Sequence, residues 1–172
     1  AWMENDRIIE FPTEVMYPDN IGYETKEGEW EFRPGPRVEG WNPYRVLPTL
    51  SKKVVEWINE QESGQPFFLY FALPSPHAPI IPNDAFDGKS EAGAYGDFVF
   101  QTDHVVGQVL DALQEKGLGK NTLVIFSSDN GPWISYGNHA GSTPYRESKG
   151  TGFDGGIRSA CIMKFPGRIP AA

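Results

Sequence analysis

The chain has 172 residues, of which 39% are hydrophobic and 13% aromatic, enough for one substantial core and about one globular domain. Its formal charge of −8 and its scattered basic residues exclude a nucleic-acid partner, because affinity for a phosphate backbone depends on clustered lysine and arginine. Apolar runs such as Phe67–Leu73 are far shorter than the roughly 20 residues of a membrane span, so no span is predicted. Cys161 is the single cysteine, which excludes an internal disulfide.

Residues 1–47 are rich in proline, glycine, tryptophan and acidic residues, and they contain no long periodic segment. This composition predicts an irregular but ordered surface excursion with about one hairpin. The aromatic side chains of Trp30, Trp41 and Tyr44 suit either stacking on sugar rings or packing against the domain. Because the ends, Ala1 and Ala172, have the character of internal sequence, the chain is expected to be a fragment.

Residues 48–172 alternate between helical and strand patterns. Apolar residues at helical spacing predict one amphipathic helix from Thr49 to Glu62 and a second from about Tyr95 to Lys116. Gly117 is expected to terminate the second helix, since glycine adopts the left-handed conformation that commonly follows a helix. Asp103 on this helix is predicted to cap a neighbouring loop.

Three continuous apolar runs predict buried strands at Phe67–Leu73, Thr122–Ser127 and Ala160–Phe165. Cys161, within the last run, is expected to be a small buried hydrophobe. Helices alternating with buried strands predict an α/β fold with a mostly parallel central sheet flanked by helices. In such sheets ligands bind where loops leave the carboxyl ends of the strands.

A carboxylate and a carboxamide, Asp129 and Asn130, directly follow the second predicted strand. Two oxygen donors at a strand end suit Ca²⁺ or Mg²⁺, which prefer oxygen ligands. The sequence Asp-Asn-Gly is also ordinary turn chemistry that occurs without any metal. These residues alone favour the turn.

Two further candidates lie on loops that flank this position. His77 follows the first predicted strand in a proline-rich loop, where its imidazole suits either anion binding and proton transfer or a structural role. Lys149 opens a glycine-rich segment, residues 149–158, where it provides a point charge for a tetrahedral anion or belongs to a solvated flexible loop.

Taken in order, these segments resemble the sulfatase family, within the alkaline phosphatase superfamily. The resemblance covers about Leu47 to Ala172 and is most similar to the arylsulfatase-like and polysaccharide-sulfatase branches. It rests on the His77 loop, Asn-Thr-Leu-Val-Ile-Phe-Ser-Ser-Asp-Asn-Gly-Pro at 121–132, Gly-Asn-His-Ala-Gly-Ser at 137–142, Lys-Gly-Thr-Gly-Phe-Asp-Gly-Gly-Ile-Arg at 149–158 and Phe-Pro-Gly-Arg-Ile-Pro at 165–170. It implies that residues 48–172 are an incomplete part of an alkaline-phosphatase-like catalytic core.

The resemblance also implies roles for particular residues. Asp129 and Asn130 would be ligands of Ca²⁺, or of Mg²⁺, while Lys149 and His77 would contact the sulfate group and act in catalysis. His139 would line the substrate pocket or stabilise its loop. The family's nucleophile is a formylglycine made from the first residue of a Cys/Ser-x-Pro-x-Arg motif, which is expected in an N-terminal segment outside this chain.

One segment of the chain, residues 142–146, formally fits Ser-x-Pro-x-Arg with the sequence Ser-Thr-Pro-Tyr-Arg. It follows the Asp129 strand instead of preceding it, and no Leu-x-Thr-Gly-Arg lies downstream. A short motif is only a hypothesis until its structural context agrees. We therefore interpret this match as a coincidence.

The function implied is hydrolysis of a sulfate ester, of a small molecule or a glycan, in a periplasmic, secreted or lysosome-like compartment. Two alternatives remain open on the sequence. One is a phosphodiesterase or phosphonate hydrolase of the same superfamily, and the other is a non-catalytic relative that binds sulfated glycans. Nothing in the sequence sets an oligomeric state.

Overall fold

A computed structural model describes residues 1–22, 24–28, 33–134 and 144–170. Trp30, His139 and the serine of the 142–146 motif lie outside these ranges, so their predicted roles stay predictions. The described chain is a partial α/β domain with two long helices and three small two-stranded sheets. None of the helices in these ranges combines the length and the apolar character that crossing a bilayer requires.

The N-terminal excursion is ordered by two antiparallel strand pairs. The strands are β1 (Met3–Glu4) with β2 (Arg7–Ile8), and β3 (Glu14–Met16) with β4 (Gly35–Arg37). The guanidinium of Arg37 donates to Glu14 Oε2 at 2.8 Å and to the carbonyl oxygens of Asn20 and Ile21 at 3.0 Å each. One arginine thereby ties the connection between β3 and β4 to the strands. The predicted domain boundary at residue 47 stays a prediction.

Both predicted helices are present, with shifted ends. Helix α1 spans Val46–Glu60 and starts three residues early, because Asn42 Oδ1 accepts a hydrogen bond from Tyr44 N at 2.9 Å and begins a 3₁₀ turn that leads into it. Helix α2 spans Gly93–Glu115. It ends as predicted, since Gly117 has φ +75° and its amide donates to the Gln114 carbonyl at 3.0 Å.

The core lies between α1, α2 and the segment after residue 79. Burying an aliphatic or aromatic side chain of this kind contributes about 1.5–3 kcal/mol. The predicted inner face of α2 is confirmed, because four of its five positions are buried and the fifth, Val109, packs against the core. The five positions are Phe98, Thr102, Val105, Val109 and Leu113. The buried hydrophobic residues form two clusters: Leu47, Ile80, Ile81, Phe98 and Val105 in one, and Ile58, Ala112 and Leu113 in the other.

The first predicted strand, Phe67–Leu73, is described without a hydrogen-bonded strand partner. Its side chains still alternate, with the odd-numbered ones packed against the core clusters and the even-numbered ones outward. Phe68 is 87% exposed and Tyr70 is 80% exposed. The prediction of a strand covered on both faces is therefore wrong for the described chain, which covers one face only.

The other two predicted strands are confirmed in position and wrong in burial. Strand β5 (Val124–Ser127) pairs antiparallel with β6 (Cys161–Lys164), so that Ile125 is opposite Met163. Because these strands pair only with each other among the described residues, their faces are open, and Cys161 is exposed instead of buried. The predicted parallel pairing is not found in the described residues, where all three strand pairs are antiparallel, so the parallel central sheet stays a prediction. A parallel connection requires a long crossover, and α3 (Asp154–Ile157), the helix described between β5 and β6, has only four residues.

The loop that precedes α2 is capped by Asp97 and not by Asp103. The Asp97 carboxylate is 2% exposed and accepts hydrogen bonds from Ser90 N at 2.6 Å and from Gly88 N at 2.8 Å. Asp103 is on the exposed side of the helix. A carboxylate of α2 does cap a neighbouring loop, but it belongs to Asp97, six residues before the predicted Asp103.

Candidate functional site

The segment that leaves β5 presents Asp129 and Asn130 at the surface. The Asp129 side chain is exposed and Asn130 is half-buried. Serine hydroxyls shape this segment, because Ser128 Oγ donates to the Asn130 carbonyl at 3.0 Å and Ser159 Oγ donates to the Ser128 carbonyl at 2.7 Å. Within the described residues the Asp129 carboxylate has no ion pair. Its oxygens are therefore available to a ligand.

Close backbone packing joins this segment to the loop that carries Lys149. The amide of Gly131 donates to the Gly156 carbonyl at 2.9 Å, and the amide of Lys149 donates to the Pro132 carbonyl at 2.9 Å. A Cβ atom placed on Gly131 would overlap the carbonyl oxygen of Gly155. Glycine is therefore required here so that one backbone can approach another.

The Lys149 loop, residues 146–156, is also held internally. The amide of Gly155 donates to the Arg146 carbonyl at 2.9 Å, and a Cβ on Gly155 would overlap the Glu147 carbonyl oxygen. Glu147 has φ +64°, a left-handed conformation that is uncommon outside glycine. The Arg146 guanidinium lies 3.9 Å from the centroid of the Phe153 ring. These contacts define the path of the loop backbone.

The His77 loop is anchored to α2 and orients the imidazole. Ser75 is buried and its Oγ is hydrogen bonded to Thr102 Oγ1 at 2.8 Å. His77 Nδ1 lies 2.9 Å from the carbonyl oxygen of Ala78. A carbonyl oxygen can only accept, so Nδ1 carries the proton in this contact and Nε2 is left for a ligand.

One residue that the sequence interpretation missed, Trp133, connects His77 with Lys149. The Lys149 ammonium lies 5.1 Å from the centroid of the Trp133 ring, within the distance of about 6 Å typical of a cation–π contact. The His77 ring centroid lies 6.4 Å from that of Trp133, with the planes at 49°. The structure therefore brings His77 and Lys149 to a single indole, four residues after Asp129. The available signal was the position of the tryptophan directly after Asp-Asn-Gly-Pro.

A cavity of about 150 Å³ borders His77. Its walls are mainly apolar, and Pro43 and Tyr44 contribute to them from the 3₁₀ turn that precedes α1. The Tyr44 hydroxyl donates to the Glu24 carbonyl at 2.6 Å, and burial raises the pKa of this phenol above its usual value. Tyr44 is thus a neutral wall residue beside the imidazole.

The side chains of Asp129 and Asn130 have the chemistry of divalent-cation ligands. Asp129 and Asn130 supply the hard oxygen atoms that Ca²⁺ and Mg²⁺ prefer, and the free carboxylate supplies charge. Ca²⁺ takes about six to eight oxygen ligands. No group of three or more histidine, cysteine, aspartate or glutamate residues suited to a metal occurs within the described ranges. These two residues fit as one part of a hard-cation site.

The family model for the sulfatases matches residues 12–172. Over 123 residues the chain is 43% identical to an N-acetylgalactosamine-6-sulfatase of Canis lupus familiaris. The alignment covers 70% of this chain and 24% of that protein. It is 37% identical to arylsulfatase A of Bos taurus, covering 77% of the chain and 27% of that protein. The chain therefore spans about a quarter of the length of these curated relatives.

Solved structures give the same assignment. The sulfatase PsFucS1 from Pseudoalteromonas sp. matches with a TM-score of 0.71 and 30% identity, over 84% of this chain and 30% of its own. Ps i-CgsB, solved in complex with k-i-k-neocarrahexaose, matches with a TM-score of 0.68 and 28% identity, over 83% of this chain and 33% of its own. Because the family model covers most of the sequence and both kinds of relative agree, the chain belongs to the sulfatase family.

Proposed function

We propose that the protein hydrolyses sulfate esters of carbohydrates, using water to release an alcohol and inorganic sulfate. The observation that carries this proposal is the convergence of His77 and Lys149 on Trp133, next to the segment that presents Asp129 and Asn130. A cation, an imidazole and two hard oxygen donors are suited to binding a sulfate ester and to assisting the departure of its alcohol.

Lys149 is proposed to bind the sulfate group. Its ammonium is a compact charge with three donors, which suits the oxygens of a tetrahedral anion. As the S–O bond to the alcohol breaks, negative charge develops on the departing oxygen and remains on the sulfuryl oxygens, and a fixed cation stabilises both. The hydrogen bond between Lys149 N and the Pro132 carbonyl supports this role by fixing the base of the side chain.

His77 is proposed to protonate the leaving alcohol oxygen. With Nδ1–H donating to the Ala78 carbonyl, the imidazolium form carries its second proton on Nε2. Transfer of that proton to the departing oxygen neutralises the alkoxide as the S–O bond breaks. His77 then takes a proton back from the water that is consumed, which returns it to the starting state.

Asp129 and Asn130 are proposed to hold Ca²⁺, or Mg²⁺, together with ligands from outside the described residues. Such an ion supplies positive charge that polarises the sulfate ester. The formylglycine that the family uses as nucleophile is proposed to belong to the whole protein and not to these 172 residues. The chain by itself is then expected to bind metal weakly and to turn over no substrate.

A carbohydrate sulfate is proposed as substrate because of the relatives' names and the shape next to His77. Two similar proteins are N-acetylgalactosamine-6-sulfatases, and a third was solved with a neocarrahexaose. The cavity walled by Pro43 and Tyr44 has space for part of a ring beside the imidazole. His139 is proposed to contribute to the same pocket. For the whole protein we propose a periplasmic, secreted or lysosome-like compartment. We also propose that its central sheet is mostly parallel.

The experiment that tests this function compares substrates on the whole protein with Ca²⁺ or Mg²⁺ present. We expect kcat/KM to be at least a hundredfold greater for para-nitrophenyl sulfate than for bis(para-nitrophenyl) phosphate, and 6-sulfated N-acetylgalactosamine to be desulfated. His77→Gln should lower kcat/KM by about a hundredfold. The matched control is His104→Gln, because His104 is also exposed and stacks on an aromatic ring, Phe86, at 5.3 Å.

A preference for the phosphodiester would instead support a phosphodiesterase of the superfamily. Binding of sulfated sugars without any hydrolysis would support the non-catalytic alternative. Equal loss of activity in the two histidine variants would contradict the role of His77.

A further inference from the structure

We propose that Trp133, whose ring also contacts His77, is a positioning residue that holds the Lys149 ammonium by a cation–π contact. This inference rests on the proposed function, in which Lys149 binds the sulfate group. The three side chains lie on three separate segments: His77 after residue 73, Trp133 after β5, and Lys149 in the loop before α3. Trp133 is the point at which these segments meet.

Lys149 needs such a restraint because, among the described residues, hydrogen bonding fixes only its backbone. The bond from its amide to the Pro132 carbonyl holds the base of a flexible four-carbon side chain and leaves the ammonium to be placed by something else. Within the described residues Lys149 forms no salt bridge. The Trp133 ring, 5.1 Å away, is the group that the structure places against it.

An aromatic ring is suited to hold a cation that must bind an anion. A carboxylate partner would fix the ammonium and at the same time neutralise its charge. The quadrupole of an indole attracts the ammonium and leaves its full positive charge for the substrate. Trp133 therefore restricts where the charge of Lys149 lies without reducing that charge.

Trp133 is itself well placed for this function. It follows Gly131 and Pro132, whose backbone groups are bonded to Gly156 and Lys149 at 2.9 Å each. The residue is half-buried, so part of its surface packs against the protein. Its distance of 6.4 Å from the His77 ring lies in the range of ordinary aromatic contacts, about 4.5–7 Å.

A general packing role is the alternative, and the chain offers a matched control for it. Trp57 on α1 is also half-buried and also makes one aromatic contact, edge-on to Phe67 at 5.5 Å. It belongs to the cluster around Ile58 and has no cation over its ring in the described structure. Replacing Trp57 removes packing alone, whereas replacing Trp133 removes packing and the cation–π contact.

The test uses the whole protein with its metal and measures kcat and KM for para-nitrophenyl sulfate, together with the Kd of inorganic sulfate by calorimetry. From the usual strength of cation–π contacts, we expect Trp133→Leu to weaken sulfate binding and to lower kcat/KM by about tenfold. Trp133→Phe should lower kcat/KM by about threefold. Trp57→Leu should lower Tm and leave kcat/KM and the sulfate Kd unchanged. In a Lys149→Ala background, Trp133→Leu should lower kcat/KM by less than about twofold.

Several results would overturn the inference. If Trp133→Leu does not fold, Trp133→Phe decides, and a folded Phe variant with wild-type kcat/KM and sulfate affinity contradicts it. An equal effect of Trp133→Leu with and without Lys149 also contradicts it, because the two residues would then act independently. If Lys149→Ala lowers activity and Trp133→Leu matches Trp57→Leu, only this inference fails. If Lys149→Ala leaves activity unchanged, the proposed function fails and this inference fails with it.

Discussion

The helical pair α1–α2 and the strand pair β5–β6 treat their apolar side chains in opposite ways. Ile58 on α1 is 0% exposed, and it packs with Ala112 and Leu113 across the interface. On β6, by contrast, Ile162 is 65% exposed although its pattern is just as apolar. The apolar side chains of the helical pair are thus buried within the described residues, whereas the described residues leave the faces of the strand pair open.

The helical pair contributes mainly to stability, whereas the loops near the strand pair carry the side chains of the candidate site. The candidate site is built on loops next to elements with an open face: Asp129 follows β5, Lys149 lies between β5 and β6, and His77 follows segment 67–73. The helical pair contributes an anchor, the contact between Thr102 and Ser75. Substitutions in the two regions should therefore affect different measurements.

The largest effect is expected at the proposed metal ligands. Asp129→Ala should lower kcat/KM of the whole protein by about a hundred- to a thousandfold, because it removes charge that stabilises the transition state through the bound ion. Thermal unfolding of the metal-free protein should be almost unchanged. The control is Asp103→Ala on α2, also exposed. Similar activity in the two variants would mean that Asp129 has no part in the site.

The next largest effect is expected in the helical core. Ile58→Ala should destabilise the protein by about 2–5 kcal/mol, since it leaves a cavity at a fully buried position. In the 172-residue chain, Ile162→Ala should cost less than about 0.5 kcal/mol, as is usual for exposed positions. Urea unfolding measures both changes. Equal losses at the two sites would show that the strand pair is covered and would remove the contrast between the two regions.

A smaller effect is expected where glycine allows the two loops to pack. Gly155→Ala should destabilise the protein by about 1–3 kcal/mol, because the new Cβ overlaps the Glu147 carbonyl oxygen and the loop must move. Lys149 moves with that loop, so sulfatase kcat/KM should fall as well. Gly152→Ala is the matched control in the same loop, since no atom lies within 4 Å of its Cβ position. A Gly155→Ala variant as stable and active as Gly152→Ala would contradict the packing described.

The smallest effect is expected at alkaline pH in the N-terminal excursion. A hydrogen bond and the charge of Asp87, 3.4 Å away, raise the pKa of Lys26 above its usual 10.5. A raised pKa means that the ion pair stabilises the fold below pH 10.5 and that this contribution is lost as pH rises through the higher folded value. Lys26→Gln should therefore lower Tm slightly at pH 8 and not at pH 12. A Tm difference that persists unchanged to pH 12 would contradict this.

Local rules predicted the helices well. The spacing of apolar residues placed both helices to within a few residues, and Gly117 ended α2 as expected because helix termination depends on the backbone conformation of neighbouring residues. The positions of β5 and β6 followed from apolar runs of strand length. Partners and burial did not follow, because whether a strand is covered depends on distant segments and not on its own pattern.

The candidate site was predictable as residue types and not as geometry. His77, Asp129 and Lys149 carry recognisable chemistry, and their loops could be located from the strands before them. Trp133 could not be assigned, because its role depends on the docking of the Lys149 loop onto the segment after β5. The requirement for glycine at position 155 is hidden for the same reason, since it arises from backbone packing between segments far apart in the sequence.

One pair of variants of the whole protein tests whether Lys149 and its neighbours form a sulfate-ester site. We expect Lys149→Ala to lower kcat/KM for para-nitrophenyl sulfate by at least a hundredfold and to weaken binding of inorganic sulfate. Lys120→Ala, at an exposed position in the turn before β5, should leave both unchanged. Equal kcat/KM values for these two variants, with both proteins folded, would show that Lys149 has no part in a sulfate-ester site.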